Sequence, residues 1–340
     1  MLPMKKFLKI FYIVFFTLAL LSSKASAAPT FVHSYDVSSE EQKPNGFTFN
    51  NDGTKMFVTG HKGDDVNEYI LSTAWDVSTA SFVDSFSYRS EDGDGRSVEF
   101  NQDGTKMFVL GKSNDKVCEY TLSIGFDVSS TVTFIDCTSE LREDEPDDLE
   151  FSPDGTKMFV IGNIEDDVNE YTLSTGFDVS TASFVDSFSV RSEETTPKGL
   201  AFSNDGTKMF VTGVSGYDDA NEPVDIHEYT LSTAWDITST VTYVGSFSIK
   251  SQEDYPTSLA FSSDGSKLFV LGREDDEINE YTLSCYYGVV NCIDPTSDKG
   301  DVASVEAQTE AAKKLIQHTT YPILNRMEWL RRNTNNSNLT

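Results

Sequence analysis

From residue 30 onward, short runs rich in Phe, Val, Tyr and Thr alternate with short polar breaks, and the breaks return at a fixed interval. The unit at 147–190 reads "DDLEF", a turn "SPDGT", then "KMFVIG", "EDD", "VNEYTLS", a longer connection "TGFDVSTA", and "SFVDSFSV". Runs of β-branched and aromatic residues bounded by turn formers predict strands, and Asp-Gly predicts a tight turn between two of them. Each unit is therefore expected to hold four antiparallel strands. The Asp-Gly pairs fall at 52–53, 103–104, 154–155, 205–206 and 264–265, at intervals of 51, 51, 51 and 59, the last stretched by an insertion around 216–225.

Four short antiparallel strands in about 50 residues make one propeller blade, whereas the parallel coils of a solenoid need shorter and more uniform repeats. The ends of the repeat region support closure. Residues 31–49, "FVHSYDVSSEEQKPNGFTF", align without gaps on 82–100, "FVDSFSYRSEDGDGRSVEF", so the region opens with a fourth strand that has no blade before it. The fifth unit stops after its third strand, "INEYTLS", and placing 31–37 on Ile278–Ser284 completes it and removes the open edge. The fold expected is an all-β, five-bladed propeller with its last blade split between the two ends. The repeated "DGTKMFV" then supplies a turn in which Gly tolerates positive φ, followed by core residues between neighbouring blades. Phe57 and Tyr69, with their equivalents, are expected to touch across adjacent strands.

Composition adds a compartment. Lys5, Lys6 and Lys9, an apolar run from Ile10 to Leu21, and Ala25-Ser26-Ala27 have the layout of a secretory leader, with cleavage expected after Ala27. The expected organisation is a signal peptide at 1–27, the propeller at 28–292, and a linker with a helical tail at 293–340. Localisation is expected to be secreted, periplasmic or at the cell surface. Net charge is −29, from 55 acidic and 26 basic residues. This argues against nucleic acid, whose phosphates need Lys and Arg, and leaves room for cations or a basic partner. In an exported chain the four cysteines are expected to pair as Cys118–Cys137, across a hairpin, and Cys285–Cys292, around a small loop. The alternative is four free buried thiols. Zinc is disfavoured by the ligand spacing.

The repeats resemble those of secreted bacterial β-propellers with "S-P-D-G" turns, the lactonase-like and YVTN-type repeat proteins. The resemblance spans residues 31–284 and implies the propeller fold, on which binders, hydrolases and scaffolds all occur. The tail, with "VASVEAQTEAAKKLIQHTT" and "ILNRMEWLRRN" as two expected helices, resembles the junction between a repeat passenger and an outer-membrane barrel in some bacterial surface proteins. It is expected to pack on the propeller, self-associate or meet a membrane-anchored partner, and the chain is then a possible passenger fragment of a surface protein.

Candidate chemistry follows from strand direction. The fourth-to-first loops, such as "SSEEQKP" and "REDEPDD", share one rim with the second-to-third loops, and together they ring it with carboxylates. Such a rim is expected to attract cations, a basic ligand, a glycan or a protein. Ca²⁺ is the metal that hard oxygen ligands suit, with Asp65, Asp167, Asp219 and Asp276 as candidate ligands, although no calcium loop of known spacing is present. Before the repeated Phe of the innermost strand stand Thr48, Glu99, Glu150, Ala201 and Ala260, so two blades depart from the rest by placing glutamates beside the channel. Arg96, Asp147, Asp148 and Lys198 lie just upstream, as ligand-binding candidates at the acidic mouth. If the protein is a hydrolase, of glycosidase or lactonase type, Glu99 and Glu150 are its acid and base. Otherwise they are expected to pair with Arg96, Lys198 or backbone amides. No other catalytic set is present, no cofactor is expected beyond Ca²⁺, and the leading expectation is a non-enzymatic binding or display module.

Overall fold

The computed structural model describes residues 28–139, 141–215 and 223–290. Within them the chain forms five sheets of four antiparallel strands, arranged as a five-bladed propeller. Blade one is Pro44–Phe49, Lys55–Gly60, Asp65–Leu71 and Ala80–Ser87, listed from the channel outward. Blade two begins at Gly95–Phe100, blade three at Pro146–Phe151, blade four at Pro197–Phe202 and blade five at Pro256–Phe261. The fourth strand of blade five is Thr30–Asp36, which pairs antiparallel with Glu277–Thr282 and closes the ring as the repeat alignment predicts. The leader expected at 1–27, Cys292 and the helical tail expected at 293–340 lie outside the described residues.

Each letter of the repeated motif has a physical task. Asp52 Oδ1 accepts hydrogen bonds from the N–H and hydroxyl of Thr54, at 3.0 and 2.5 Å, which fixes the turn. Gly53 follows with φ +70°, and a side chain there would also strike the ring of Trp75. Trp75 is itself held in the left-handed region, with φ +61°, by its N–H donating to Gly53 O at 2.9 Å. Phe126, Phe177, Trp235 and Tyr287 repeat this seat over Gly104, Gly155, Gly206 and Gly265.

The Lys of the motif ties blades together. Lys55 Nζ lies 2.6 Å from Glu68 Oε1 in its own blade and 2.6 Å from the carbonyl of Phe126 in the next. The second oxygen of Glu68 accepts the N–H of Val128 at 2.9 Å, so one buried carboxylate anchors two blades. The pairs Lys106–Glu119, Lys157–Glu170, Lys208–Glu228 and Lys267–Glu280 repeat it at 2.7–2.8 Å. Met56, Phe57 and Val58 are fully buried, and the core comprises five clusters that join neighbouring blades. Phe57 and Tyr69 do not meet as expected. The strand register sets Met56, not Phe57, opposite Tyr69. Phe57 therefore packs against Phe100 of the next blade, with ring centroids 4.5 Å apart, and Tyr69 against Tyr35 and Phe82.

Cys118 and Cys137 form a disulfide between the third and fourth strands of blade two, where the register sets them directly opposite. Cys285 is also disulfide-bonded.

Candidate functional site

The innermost strands place rings of five side chains down the channel. The outermost ring carries Arg96, Asp147 and Lys198. Lys198 Nζ lies 2.8 Å from Asp147 Oδ2, and Arg96 bridges Asp147 at 3.3 Å and Asp94 at 3.0 Å. Arg96, Asp147 and Lys198 are buried and pair with one another, with only Arg96 Nε left without a partner, so ion pairs occupy this end of the channel. The next ring is tighter. A Cβ on Gly46 would come within 2.6 Å of Ser97 Cα, and one on Gly199 within 3.0 Å of Ser258 Cα, so the strands can approach only because both residues lack side chains. Asp148 fills the space that remains. Its carboxylate accepts the N–H groups of Leu149 and Leu200 at 2.9 and 3.0 Å, and the hydroxyl of Ser258 at 3.2 Å. Burial pushes its pKa up to about 7.

Below this plug the channel opens into a cavity of about 210 Å³ at the rim that carries the Asp-Gly turns. Glu99 and Glu150 line one side and Ala201 and Ala260 the other, with Thr48 between Ala260 and Glu99 in blade order. The room exists because blades four and five bear alanine where blades two and three bear glutamate. Asn50, Asn51, Asn204, Ser263 and Trp75 complete the mouth with Phe49, Phe202, Leu259 and Phe261, and the lining contains no Lys, Arg or His. The turns around the mouth hold one another: Asn51 donates to Gln102 O at 2.5 Å, Gln102 to Pro153 O at 2.7 Å and Asn204 to Ser263 O at 2.5 Å.

The two glutamates are short of partners. Both are half-buried, and Glu99 accepts a hydrogen bond from Thr48 Oγ1 at 3.3 Å and one from the backbone N–H of Phe100. Among the described residues none donates a hydrogen bond to Glu150. Burial pushes the Glu99 pKa well above the carboxylate range, with the negative charges of Glu150 and Asp148 adding to it. Burial, then Asp148, does the same for Glu150.

The candidates named from the sequence are thus divided along the channel axis. Arg96, Asp147 and Lys198 cluster at the acidic rim, Asp148 plugs the middle, and Glu99 and Glu150 face the opposite end. Arg96 and Lys198 spend their charge on Asp147, so the expected pairing with Glu99 and Glu150 is not made. The turn residues Asn50, Asn51, Asn204 and Ser263 went unnoticed in the sequence. Comparing the repeat units at the two positions after the conserved Phe would have found them.

Much of the acidic rim serves the fold. Glu41, Glu143, Glu194 and Glu253 are buried beneath their loops. Glu41 accepts the N–H groups of Lys62 and Gly63, both at 2.9 Å, and Glu253 that of Tyr255 at 2.6 Å. Asp64, Asp115, Asp166 and Asp276 occupy left-handed turn positions, with φ of +49° to +57°, which Asp tolerates better than most residues. Asp65, Asp167 and Asp276 stand on separate blades, and Asp219 lies outside the described residues. Asp65 accepts from Asn67 at 2.9 Å and Asp276 from the N–H of Lys43 at 2.9 Å. The one convergence of metal-ligating atoms among the described residues is His33, Asp76 and Glu280, at the closing seam. His33 Nε2 there lies 3.0 Å from Glu280 and 3.2 Å from Asp76, and Glu280 also holds Lys267.

No protein-family model matches the sequence, and no curated protein matches it. Among solved structures, the chain is similar to a protein of unknown function from Desulfotomaculum acetoxidans, at 14% identity and TM-score 0.41, over 68% of this chain and 63% of that one. It is similar to a protein from Lactobacillus plantarum at 12% identity and TM-score 0.45, over 70% of this chain and 67% of that one. A candidate 6-phosphogluconolactonase from Bacteroides fragilis gives 13% identity and TM-score 0.44, over 69% of this chain and 65% of that one. The chain thus spans less than two thirds of the first and third of these proteins, and likenesses this distant say nothing of activity.

Proposed function

We propose that the chain is an exported, non-enzymatic binding propeller whose ligand site is the channel cavity, and that its ligand is a small cation. The observation that carries this reading is the carboxyl pair Glu99 and Glu150, which faces a cavity whose lining offers no basic side chain. Taking carboxylates out of water without a counter-charge is costly, and a bound cation offsets that cost. The rim is the weaker candidate, because many of its acids are engaged by their own loops. Export is supported by the leader-like residues 1–27 and by the Cys118–Cys137 disulfide, which suits an oxidising compartment.

Two carboxyl groups in a channel also invite a hydrolase reading. Acid–base work at neutral pH needs one group protonated and the other ionised. Here burial pushes both in the same direction, and no residue holds Glu150 in the charged state. Calorimetric titration with small cations tests the proposal, beside turnover assays on aryl glycosides and lactones. Saturable cation binding without turnover is the expected result. Turnover that vanishes in the E99Q/E150Q variant would establish the hydrolase instead.

A further inference from the structure

Resting on that reading, we infer that the cavity takes a primary alkylammonium group, a small aliphatic amine bound head-first, in preference to a metal ion or a quaternary ammonium. Three features of the cavity point there. The first is its division into unlike walls. Glu99 and Glu150 stand on blades two and three, while blades four and five contribute Ala201, Leu259 and Ala260, with Phe261 at the side. A metal ion wants oxygen ligands all round, six or more for Ca²⁺. Here Ala201 and Ala260 meet the glutamates with hydrocarbon, and the amides and hydroxyl of Asn50, Asn51, Asn204 and Ser263 stand at the mouth, which suits a ligand that is cationic at one end and has a short apolar part.

The second feature is the state of the hydrogen bonds. The carboxyl group of Glu150 accepts none from the described residues, and Glu99 accepts one long side-chain bond from Thr48 beside the backbone N–H of Phe100. Both side chains are half-buried, and carboxylate oxygens confined in a cavity with so few protein donors favour a ligand that brings its own. A primary ammonium carries three in one compact head, whereas a quaternary ammonium carries none. The third is size. A cavity of about 210 Å³ is smaller than the sites that hold drug-sized ligands, and the plug at Asp148 closes its inner end. An ammonium group on a chain of a few carbons places its charge between the two glutamates and its alkyl part against the alanines.

The test is calorimetry on the full chain at low salt with four probes at millimolar concentration: n-butylammonium, tetramethylammonium, Ca²⁺ and n-butanol. Saturable binding of n-butylammonium alone is expected, weakened tenfold or more in Glu150→Gln. Ala260→Leu, which keeps both carboxylates and fills the apolar wall, is expected to abolish it. Near-ultraviolet circular dichroism establishes that each variant is folded, and a variant that is not is replaced by Glu99→Gln or Ala201→Val. Binding of Ca²⁺ or tetramethylammonium with n-butylammonium silent would overturn the inference and leave the cation-binding proposal standing. Silence from all four probes, or n-butanol binding as well as the amine, would overturn both.

Discussion

Lys198 Nζ lies 2.8 Å from Oδ2 of Asp147, across the boundary between blades three and four, with both side chains buried. Arg96 reaches the same carboxylate from blade two, so one aspartate compensates cations from both of its neighbours. Removing the shared partner leaves Lys198 buried without a carboxylate, and breaking such a pair from one side costs about 3–5 kcal/mol. Asp147→Asn is therefore expected to lower the unfolding free energy by that order in urea denaturation. Because the ion pairs and the cavity lie at opposite ends of the channel, the folded variant should keep its ligand binding. A loss below about 1 kcal/mol would mean that water reaches this end of the channel.

The pH dependence of stability follows from the buried rim acids. Burial pushes Glu41, Glu143 and Glu253, with Asp148 in the channel, up to a pKa of about 7. A group whose folded pKa is raised binds more protons folded than unfolded, so its contribution is complete below about pH 4 and is lost as pH rises through 7. The turn aspartates Asp52, Asp103, Asp154, Asp205 and Asp264 are shifted down, mainly by hydrogen bonds from the Thr or Ser of the same turn. Their contribution is present above about pH 4 and disappears on further acidification. Thermal melts are expected to show the highest Tm near pH 5, with a decline toward pH 8. A Tm that rises from pH 5 to pH 8 would contradict the burial of these carboxylates.

The same aspartates show how much could be read from the chain. Four copies of "DGTKMFV" and a fifth that reads "DGSKLFV" announce the blades, and the orphan strand at 31–37 announces the closure, because both are local and repeated. The partners of Lys55 were not legible. Its carboxylate is 13 residues away, and the carbonyl that completes the bond belongs to Phe126 in another blade. The acidic rim was legible as charge, but not as structure. Whether Glu41 faces solvent or folds under its loop to meet the amides of Lys62 and Gly63 depends on a loop geometry that composition does not encode. Glu99 and Glu150 stood out by departing from the repeat. The end of the channel they face depends on Asp148 and on the two glycines that narrow the ring above them.

Gly155 has φ +68° and carries the ring of Phe177 against its α-carbon. Gly155→Ala meets both a backbone penalty of about 1 kcal/mol or more and a displaced aromatic ring. Its cost should exceed that of alanine at Gly93, where an added Cβ would meet Ser113 Oγ at 3.2 Å and φ is not in the left-handed region. Denaturation of the two variants side by side checks the order, and equal stabilities would dismiss the aromatic seat as a constraint.

The Cys118–Cys137 bond closes a loop spanning 19 residues within blade two. By loop entropy such a crosslink is worth about 3 kcal/mol. The C118S/C137S variant is expected to unfold at lower urea concentration by that amount. A reductant strong enough to open this bond also opens that of Cys285, so in the parent it should cost at least as much, and in the variant it should have no further effect on blade two. If the double variant is as stable as the parent, the strand pairing alone holds this hairpin closed in the unfolded ensemble too.

Glu99 and Glu150 set ligand binding against stability. Burial pushes both pKa values up, which means that the ionised forms destabilise the fold. Gln has nearly the same shape and no charge to desolvate. The E99Q/E150Q variant is therefore expected to melt higher than the parent at pH 8, by about 2–4 °C for each ~1 kcal/mol recovered. As pH falls and the parent carboxyl groups take up protons, the difference should shrink toward zero. A bound amine favours the ionised pair, so its affinity should rise with pH as protons leave Glu99 and Glu150, a loss that their burial and the charge of Asp148 oppose. The two effects have one origin and must appear together. A variant that melts lower at pH 8 would show that the carboxylates already have their counter-charge in the free protein, and the cavity would then have no electrostatic reason to bind a cation.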